Sequence, residues 1–351
     1  MAFYKLTIKE VTRETPEAIS VVFNVPEELA PFYKFTAGQY VNLKLTLDGQ
    51  EIRRAYSICS SPESGELRIA IKAIKNGFFS TFANKQLSVG NLIEVGTPEG
   101  RFTFEPNPSR QKSYSAYVAG SGITPVMSIL QTVLEHEPQS TFVLVYGNKS
   151  PEETIFYDKL NELHQKYVGR FFLYYVFSQA KLDGHLFGRI ERSTVNFVLK
   201  NKHKELDFNK FYICGPNEMI TAVTDILKEN QIPEDKIKFE IFTTTTTSTE
   251  ASNVQPSSSE CKVTVLLDDE ETTFTMPAGG VLLDAVLKQG LDAPYSCQGG
   301  ICSSCIGKIS HGSAQMKKNA ILTDGEIASG LVLTCQAVPT SSEIYIDYDD
   351  V

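Results

Sequence analysis

Cys297-Gln298-Gly299-Gly300-Ile301-Cys302-Ser303-Ser304-Cys305 decides the fold of the last quarter of this chain, and a fourth cysteine, Cys335, completes the set. The spacing C-x4-C-x2-C-x29-C is the ligand pattern of a [2Fe–2S] cluster. Three thiolates converge from one tight loop, and the fourth arrives from a distant strand to complete the second iron. Glycines in the loop allow φ > 0, and small residues let backbone N–H groups approach the sulfides, which tunes the potential. Zinc is the alternative. Structural zinc sites usually pair two C-x2-C units, or one such unit with histidines. Here the second half is a lone cysteine, and His311 is the only histidine nearby.

Around that loop the pattern reads as a strand over 261–267, a hairpin, a second strand over 274–276 and a helix over 282–289. This segment resembles plant-type ferredoxins along its whole length. The resemblance implies a β-grasp fold for residues 260–351, with Cys297, Cys302, Cys305 and Cys335 as cluster ligands. The segment also holds 13 acidic residues against 5 basic ones, nearly all of the chain's net charge of −9. Such an acidic face argues against nucleic acid as a partner and suits docking to a basic protein surface. Cys59 and Cys261 read as packing residues.

At 351 residues two or three domains are expected. No run approaches the 18 apolar residues of a membrane span, so membrane insertion is not expected. The first residues lack a basic region followed by an apolar run. A cytoplasmic protein is therefore expected, in which clustered cysteines serve metal or redox chemistry rather than disulfides.

The threonine run at 243–247, continuing to Ser257-Ser258-Ser259, is too small and polar to offset its ordering entropy, and 243–259 reads as a flexible linker. An edge strand is the other reading of the threonines. Residues 1–106 alternate apolar and polar, as in Tyr40-Val41-Asn42-Leu43-Lys44-Leu45, with turns at Asp48-Gly49 and Ser64-Gly65. That describes an antiparallel barrel or sandwich. Pro106, Asn107 and Pro108 mark a junction. From 112 to 242, short apolar strands (116–119, 142–146, 171–177, 211–214) alternate with helical stretches such as 126–135. This is the β-α-β pattern of a parallel sheet with helices on both faces.

Two strings in the first domain, Ala37-Gly38-Gln39-Tyr40-Val41 and Arg54-Ala55-Tyr56-Ser57, resemble the G-Q-[YF] and R-x-Y-[ST] elements of the ferredoxin–NADP reductase superfamily. The plain reading of the second is a barrel strand with an exposed arginine and a packed tyrosine. The resemblance implies bound FAD. Arg54 would pair with its pyrophosphate, Tyr56 would stack on the ring, and Ser57 would hydrogen-bond near the atom that receives hydride. Ile71-Lys72-Ala73-Ile74 followed by Gly77-Phe78-Phe79-Ser80-Thr81 resembles the superfamily's adenine-and-pyrophosphate element. Ser80 or Thr81 would begin a helix whose amides face phosphate.

In the second domain, Gly120-Ser121-Gly122-Ile123-Thr124-Pro125 lacks the third glycine of G-x-G-x-x-G but fits the superfamily's G-x-G-[IV]-[TA]-P. Thr124 is expected as N-cap and Pro125 as first helical residue, with the open amides facing a nicotinamide dinucleotide's pyrophosphate. A plain tight turn is the alternative. Cys214-Gly215-Pro216 resembles the C-G-P element, which implies Cys214 beside the nicotinamide; a buried packing cysteine is the plainer reading. Glu240 and Phe242 resemble the E-x-F close of this domain in ferredoxin-bearing members, with Phe242 over the flavin. Lys149 and Arg189 are candidate cations for a 2′-phosphate, so NADPH is expected over NADH.

The arrangement of all 351 residues is similar to the oxygenase reductases, phenylacetyl-CoA epoxidase reductases among them. It implies electron flow from NAD(P)H through FAD and [2Fe–2S] to an oxygenase. The alternatives are another one-electron acceptor protein (a desaturase, hydroxylase or haem protein) or a redox sensor without turnover.

Overall fold

The computed structural model describes residues 2–47, 49–75, 77–242 and 260–351. The expected linker at 243–259 and the turn residue Asp48 lie outside the described residues. The described residues form two compact units, 2–242 and 260–351.

The first unit opens with β1 (Phe3–Thr15), β2 (Ala18–Asn24), β3 (Tyr40–Leu47), β4 (Gln50–Ser57), β5 (Leu67–Lys72), α1 (Phe78–Gln86) and β6 (Leu92–Gly96). Their sheet runs β4-β3-β6-β1-β2-β5, every neighbouring pair antiparallel. An antiparallel bridge between Ile58 and Ile69 ties the end of β4 to β5, so the two outer strands meet and the sheet curls into the expected barrel. Alternation decides which face is inside. Leu6, Ile8, Ile19, Val21, Val41, Leu43, Ile69 and Ile71 share one buried core.

The same unit continues with β7 (Ser113–Ala119), α2 (Ile123–His136), β8 (Thr141–Asn148), α3 (Tyr157–Lys166), β9 (Phe171–Phe177), β10 (Leu186–Phe187), α4 (Arg192–Asn196), β11 (Phe208–Gly215), α5 (Asn217–Glu229) and β12 (Ile237–Ile241). All six strands are parallel, in the order β10-β9-β8-β7-β11-β12. Strands covered on both faces read as near-continuous apolar runs, which explains Phe142–Tyr146 and Phe171–Phe177. Successive strands step one way from β7 to β10 and then restart on its other side with β11. In such sheets ligands bind outside the carboxyl ends of the strands at this switch point. The glycine turn after β7 and the Cys-Gly-Pro turn after β11 are the two loops that end there.

The second unit is built from β13 (Glu260–Leu267), β14 (Glu270–Pro277), α6 (Leu282–Lys288), β15 (Ile306–His311), β16 (Ala314–Met316), α7 (Asp324–Ala328), β17 (Leu331–Leu333), β18 (Ala337–Pro339) and β19 (Glu343–Asp347). Its main sheet runs β14-β13-β19-β15-β17, with β16 and β18 paired apart. The cysteine loop lies between α6 and β15, and Cys335 follows β17, the strand that pairs with β15. Sheet pairing therefore returns the distant cysteine to the loop. Thr334 N donates to Cys305 O at 2.9 Å, closing that approach.

Candidate active site and cluster site

The glycine turn and the Cys-Gly-Pro turn touch. A Cβ on Gly122 would stand 2.1 Å from Cys214 O, so only glycine fits there. Gly120 has φ +56, and its carbonyl accepts from Tyr146 Oη at 2.9 Å. Helix α2 begins two residues earlier than expected. Gly122 is the N-cap, and Thr124 lies inside the helix, donating its hydroxyl to Ser121 O at 3.1 Å. Pro125 is thus the third helical residue, where its missing N–H still costs no intrahelical bond. The physical reason is a short 3-10 turn over Gly120–Gly122 that starts the winding early. Gly215 and Pro216 close β11, and Pro216 caps α5 in an extended conformation.

Cys214 is fully buried. Parallel register sets it beside Val118 of β7 on one side and Glu240 of β12 on the other. Ser57, at the end of barrel strand β4, reaches across with its Oγ 3.5 Å from Glu240 Oε2. Two domains therefore bring a hydroxyl, a thiol and a carboxyl together at the switch point. Burial pushes the Glu240 carboxyl up to about 8, opposed by the Ser57 hydroxyl. Burial first, and then the Glu240 carboxyl, push the Cys214 thiol well above its ordinary value. Both groups are thereby held neutral at pH 7. Glu240 entered the sequence reading only as part of a closing motif. Its signal was a single carboxylate in Phe239-Glu240-Ile241-Phe242, at the end of an apolar strand.

Tyr56 is half-buried, its ring centroid 5.6 Å from that of Phe79. Arg54 is exposed and spends one N–H on Arg53 O at 2.7 Å. Arg53, by contrast, is buried against Phe3 and paired with Glu51. Of the two neighbouring arginines, the second is the one available to an anion. Lys72 Nζ lies 3.9 Å from the point a Gly120 Cβ would occupy, beside the glycine turn. The Ile71 side chain is inside the barrel core and its carbonyl accepts from Asn84 Nδ2 at 3.0 Å. Helix α1 starts at Phe78 with Gly77 as N-cap, two residues before Ser80. Ser80 is buried and its hydroxyl accepts from Ile74 N at 3.3 Å, while Thr81 N already donates to Gly77 O at 2.9 Å. The earlier start means that Ser80 and Thr81 shape the turn, and the open amides are those ahead of Thr81. Phe242 is half-buried against the core that underlies the parallel sheet.

The four cysteines of the second unit pair two and two. Cys297 lies beside Cys302 and Cys305 beside Cys335, each pair close enough for its two sulfurs to interact. Gly299 N donates to Cys297 Sγ at 3.3 Å. The loop turns through Gln298 at φ +50 and Gly300 at φ +72, where a Cβ would meet Lys318 O at 2.8 Å. Two pairs of sulfurs with an amide donor fit a [2Fe–2S] cluster, which these four cysteines would hold. The buried Ser296 hydroxyl, next in sequence to Cys297, has no hydrogen-bond partner. No helix among the described residues is long and apolar enough to cross a membrane.

Residues 5–104 match the oxidoreductase FAD-binding domain family, 118–225 the oxidoreductase NAD-binding domain family, and 265–340 the 2Fe-2S iron-sulfur cluster binding domain family. Fold and sites together define an oxidoreductase that binds FAD, a nicotinamide dinucleotide and a [2Fe–2S] cluster. The chain is 39% identical to a component of the 1,2-phenylacetyl-CoA epoxidase of Escherichia coli (strain K12), over 99% of this chain and 98% of that protein. It is 31% identical to the ferredoxin reductase component of 3-ketosteroid-9-alpha-monooxygenase from Mycolicibacterium smegmatis, over 99% and 97%. Its fold is similar to that of phthalate dioxygenase reductase, with a TM-score of 0.62 at 23% identity, covering 99% of this chain and 98% of that one. The chain belongs to this family of flavin- and iron–sulfur-containing reductase components.

Proposed function

We propose that this chain is the NADPH-dependent reductase component of an oxygenase of the phenylacetyl-CoA epoxidase type. The observation that carries the hydride-entry part is the Ser57–Glu240 approach over Cys214, which joins the barrel to the nucleotide domain at one point. The acceptor part rests on end-to-end similarity to the Escherichia coli epoxidase component. When bound, flavin accepts the two electrons of a hydride together and passes them singly to iron–sulfur. The residues of this chain supply the rest. Arg54 neutralises a phosphate, and Tyr56 offers a ring face. Ser57 and Glu240 hold a hydroxyl and a protonated carboxyl where charge changes. Gly122 lets the glycine turn close directly against Cys214 at the switch point. The cysteine pairs then hold the exit centre, Cys297 with Cys302 and Cys305 with Cys335.

Preference for NADPH rests on Arg189. Lys149 is paired with Glu153 at 3.0 Å, whereas Arg189 is exposed just after β10. Equal or better kcat/KM with NADH overturns this choice. A cytoplasmic location suits seven cysteines that form no disulfide, and cell fractionation tests it. Co-purification with a multisubunit oxygenase, and NADPH consumption that rises when that oxygenase holds a phenylacetyl thioester, tests the acceptor. Brisk reduction of cytochrome c with no delivery to that oxygenase assigns the reductase to another acceptor.

A further inference from the structure

Eleven of the fourteen residues of α2 are buried, yet the helix carries polar side chains on the face that meets the barrel. Burying polar groups is unfavourable unless each finds a partner, and these do. Ser128 Oγ donates to Ser60 O at 2.6 Å. Gln131 Nε2 donates to Cys59 O at 3.0 Å. Glu135 Oε2 accepts from Ser61 Oγ at 2.8 Å. Positions 128, 131 and 135 share one helical face, and they meet three consecutive residues, 59 to 61. That tripeptide begins two residues after Ser57. It is also fixed from the barrel side, through Cys59 N to Arg68 O at 2.8 Å and Ser60 Oγ to Glu66 O at 2.7 Å. Ile129 of the same helix comes within 3.2 Å of where a Gly38 Cβ would stand, next to the Gln39-Tyr40 strand entry.

Helix α2 therefore starts at the nicotinamide turn, Gly120–Gly122, and is bonded along its flank to the continuation of the flavin strand. We infer that Ser128 and Gln131 are positioning residues for hydride transfer, a latch that sets the separation of the nicotinamide and flavin rings. The inference rests on reading Ser57, Cys214 and Glu240 as the place where those rings meet. Neither latch residue need touch a cofactor. They act by holding Cys59 and Ser60, and through them Ser57, at a fixed distance from the turn that begins α2. Displacement of reacting groups by about 1 Å can slow a reaction on the order of a hundredfold.

The test uses the full holoprotein with Ser128→Ala and Gln131→Leu, singly and together. The readouts are FAD content, melting temperature, the anaerobic rate of flavin reduction by NADPH, and the nicotinamide–flavin charge-transfer absorbance. The expected result is full FAD content, nearly unchanged NADPH affinity, and flavin reduction slowed about ten- to a hundredfold in the double variant. The charge-transfer absorbance should weaken in parallel. A double variant that melts lower but reduces flavin at the wild-type rate, with undiminished charge-transfer absorbance, overturns the latch and leaves these bonds purely structural. Gln131→Leu alone changes only a half-buried side chain of similar volume, and the same two readings on it decide the matter if the double variant does not fold. Should wild-type flavin not be reduced by NADPH at all, the reading of the site itself fails, which is a different result.

Discussion

Replacing Glu240 by glutamine separates the charge of this side chain from its shape. The residue is half-buried, and burial raises its carboxyl from 4.5 to about 8. In the unfolded chain it ionises near its ordinary value. Between those two pH values the folded protein holds a proton that the unfolded chain releases, so wild-type stability declines as pH rises from about 4.5 to about 8 and levels off above. The full displacement corresponds to about 5 kcal/mol above pH 8, and about 3 kcal/mol at pH 7. Partial access of water reduces the upper figure to about 2 kcal/mol. For a unit of this size that is a rise of roughly 4–8 °C in melting temperature for Glu240→Gln at pH 8.5. At pH 4.5 the two proteins should melt within about 1 °C of each other. Thermal unfolding of both proteins across this range measures the difference directly. Flavin reduction should respond too: the wild-type rate falls above about pH 8, while the variant, slower throughout, shows no such limb. A melting difference that stays constant from pH 4.5 to 8.5 refutes the raised carboxyl, and with it the idea that Glu240 is a neutral group at the site.

Cys302→Ser should keep FAD and still reduce ferricyanide from NADPH, but lose transfer to cytochrome c; visible spectra and the two assays check this. Gly122→Ala places a Cβ 2.1 Å from Cys214 O, so NADPH-dependent flavin reduction should fall at least tenfold while FAD stays bound. Glu137 is wholly buried and bonded by Tyr114 Oη at 2.9 Å, Ser140 Oγ at 2.8 Å, Arg110 Nη1 at 3.0 Å and Asn107 N at 3.0 Å. Glu137→Ala removes the acceptor that these four donors share and should destabilise the first unit by about 3–5 kcal/mol in denaturant titrations.

Pattern, spacing and resemblance pointed to the three folds and to four candidate cluster ligands in this protein. Alternation along β1 to β6 dictates a half-buried antiparallel sheet, and unbroken apolar runs dictate a parallel one, because the period of side-chain burial is a local property. The cysteine spacing is local for three ligands, and Cys335 is recognised because no other cysteine follows it. Local register was harder to read. The starts of α1 and α2 fall before Ser80 and Thr124, since glycine-led turns begin winding without a capping hydroxyl. Tertiary structure alone decided which residues meet. Ser57, Cys214 and Glu240 come from three strands, and their meeting depends on β11 and β12 lying beside β7 at the switch point. The raised Glu240 carboxyl is a property of that enclosure, and the grip of Ser128 and Gln131 on Cys59 and Ser60 is a property of how a helix seats on a barrel. Burial and pairing across long sequence separations depend on the whole packing arrangement, which no short stretch of the chain encodes by itself.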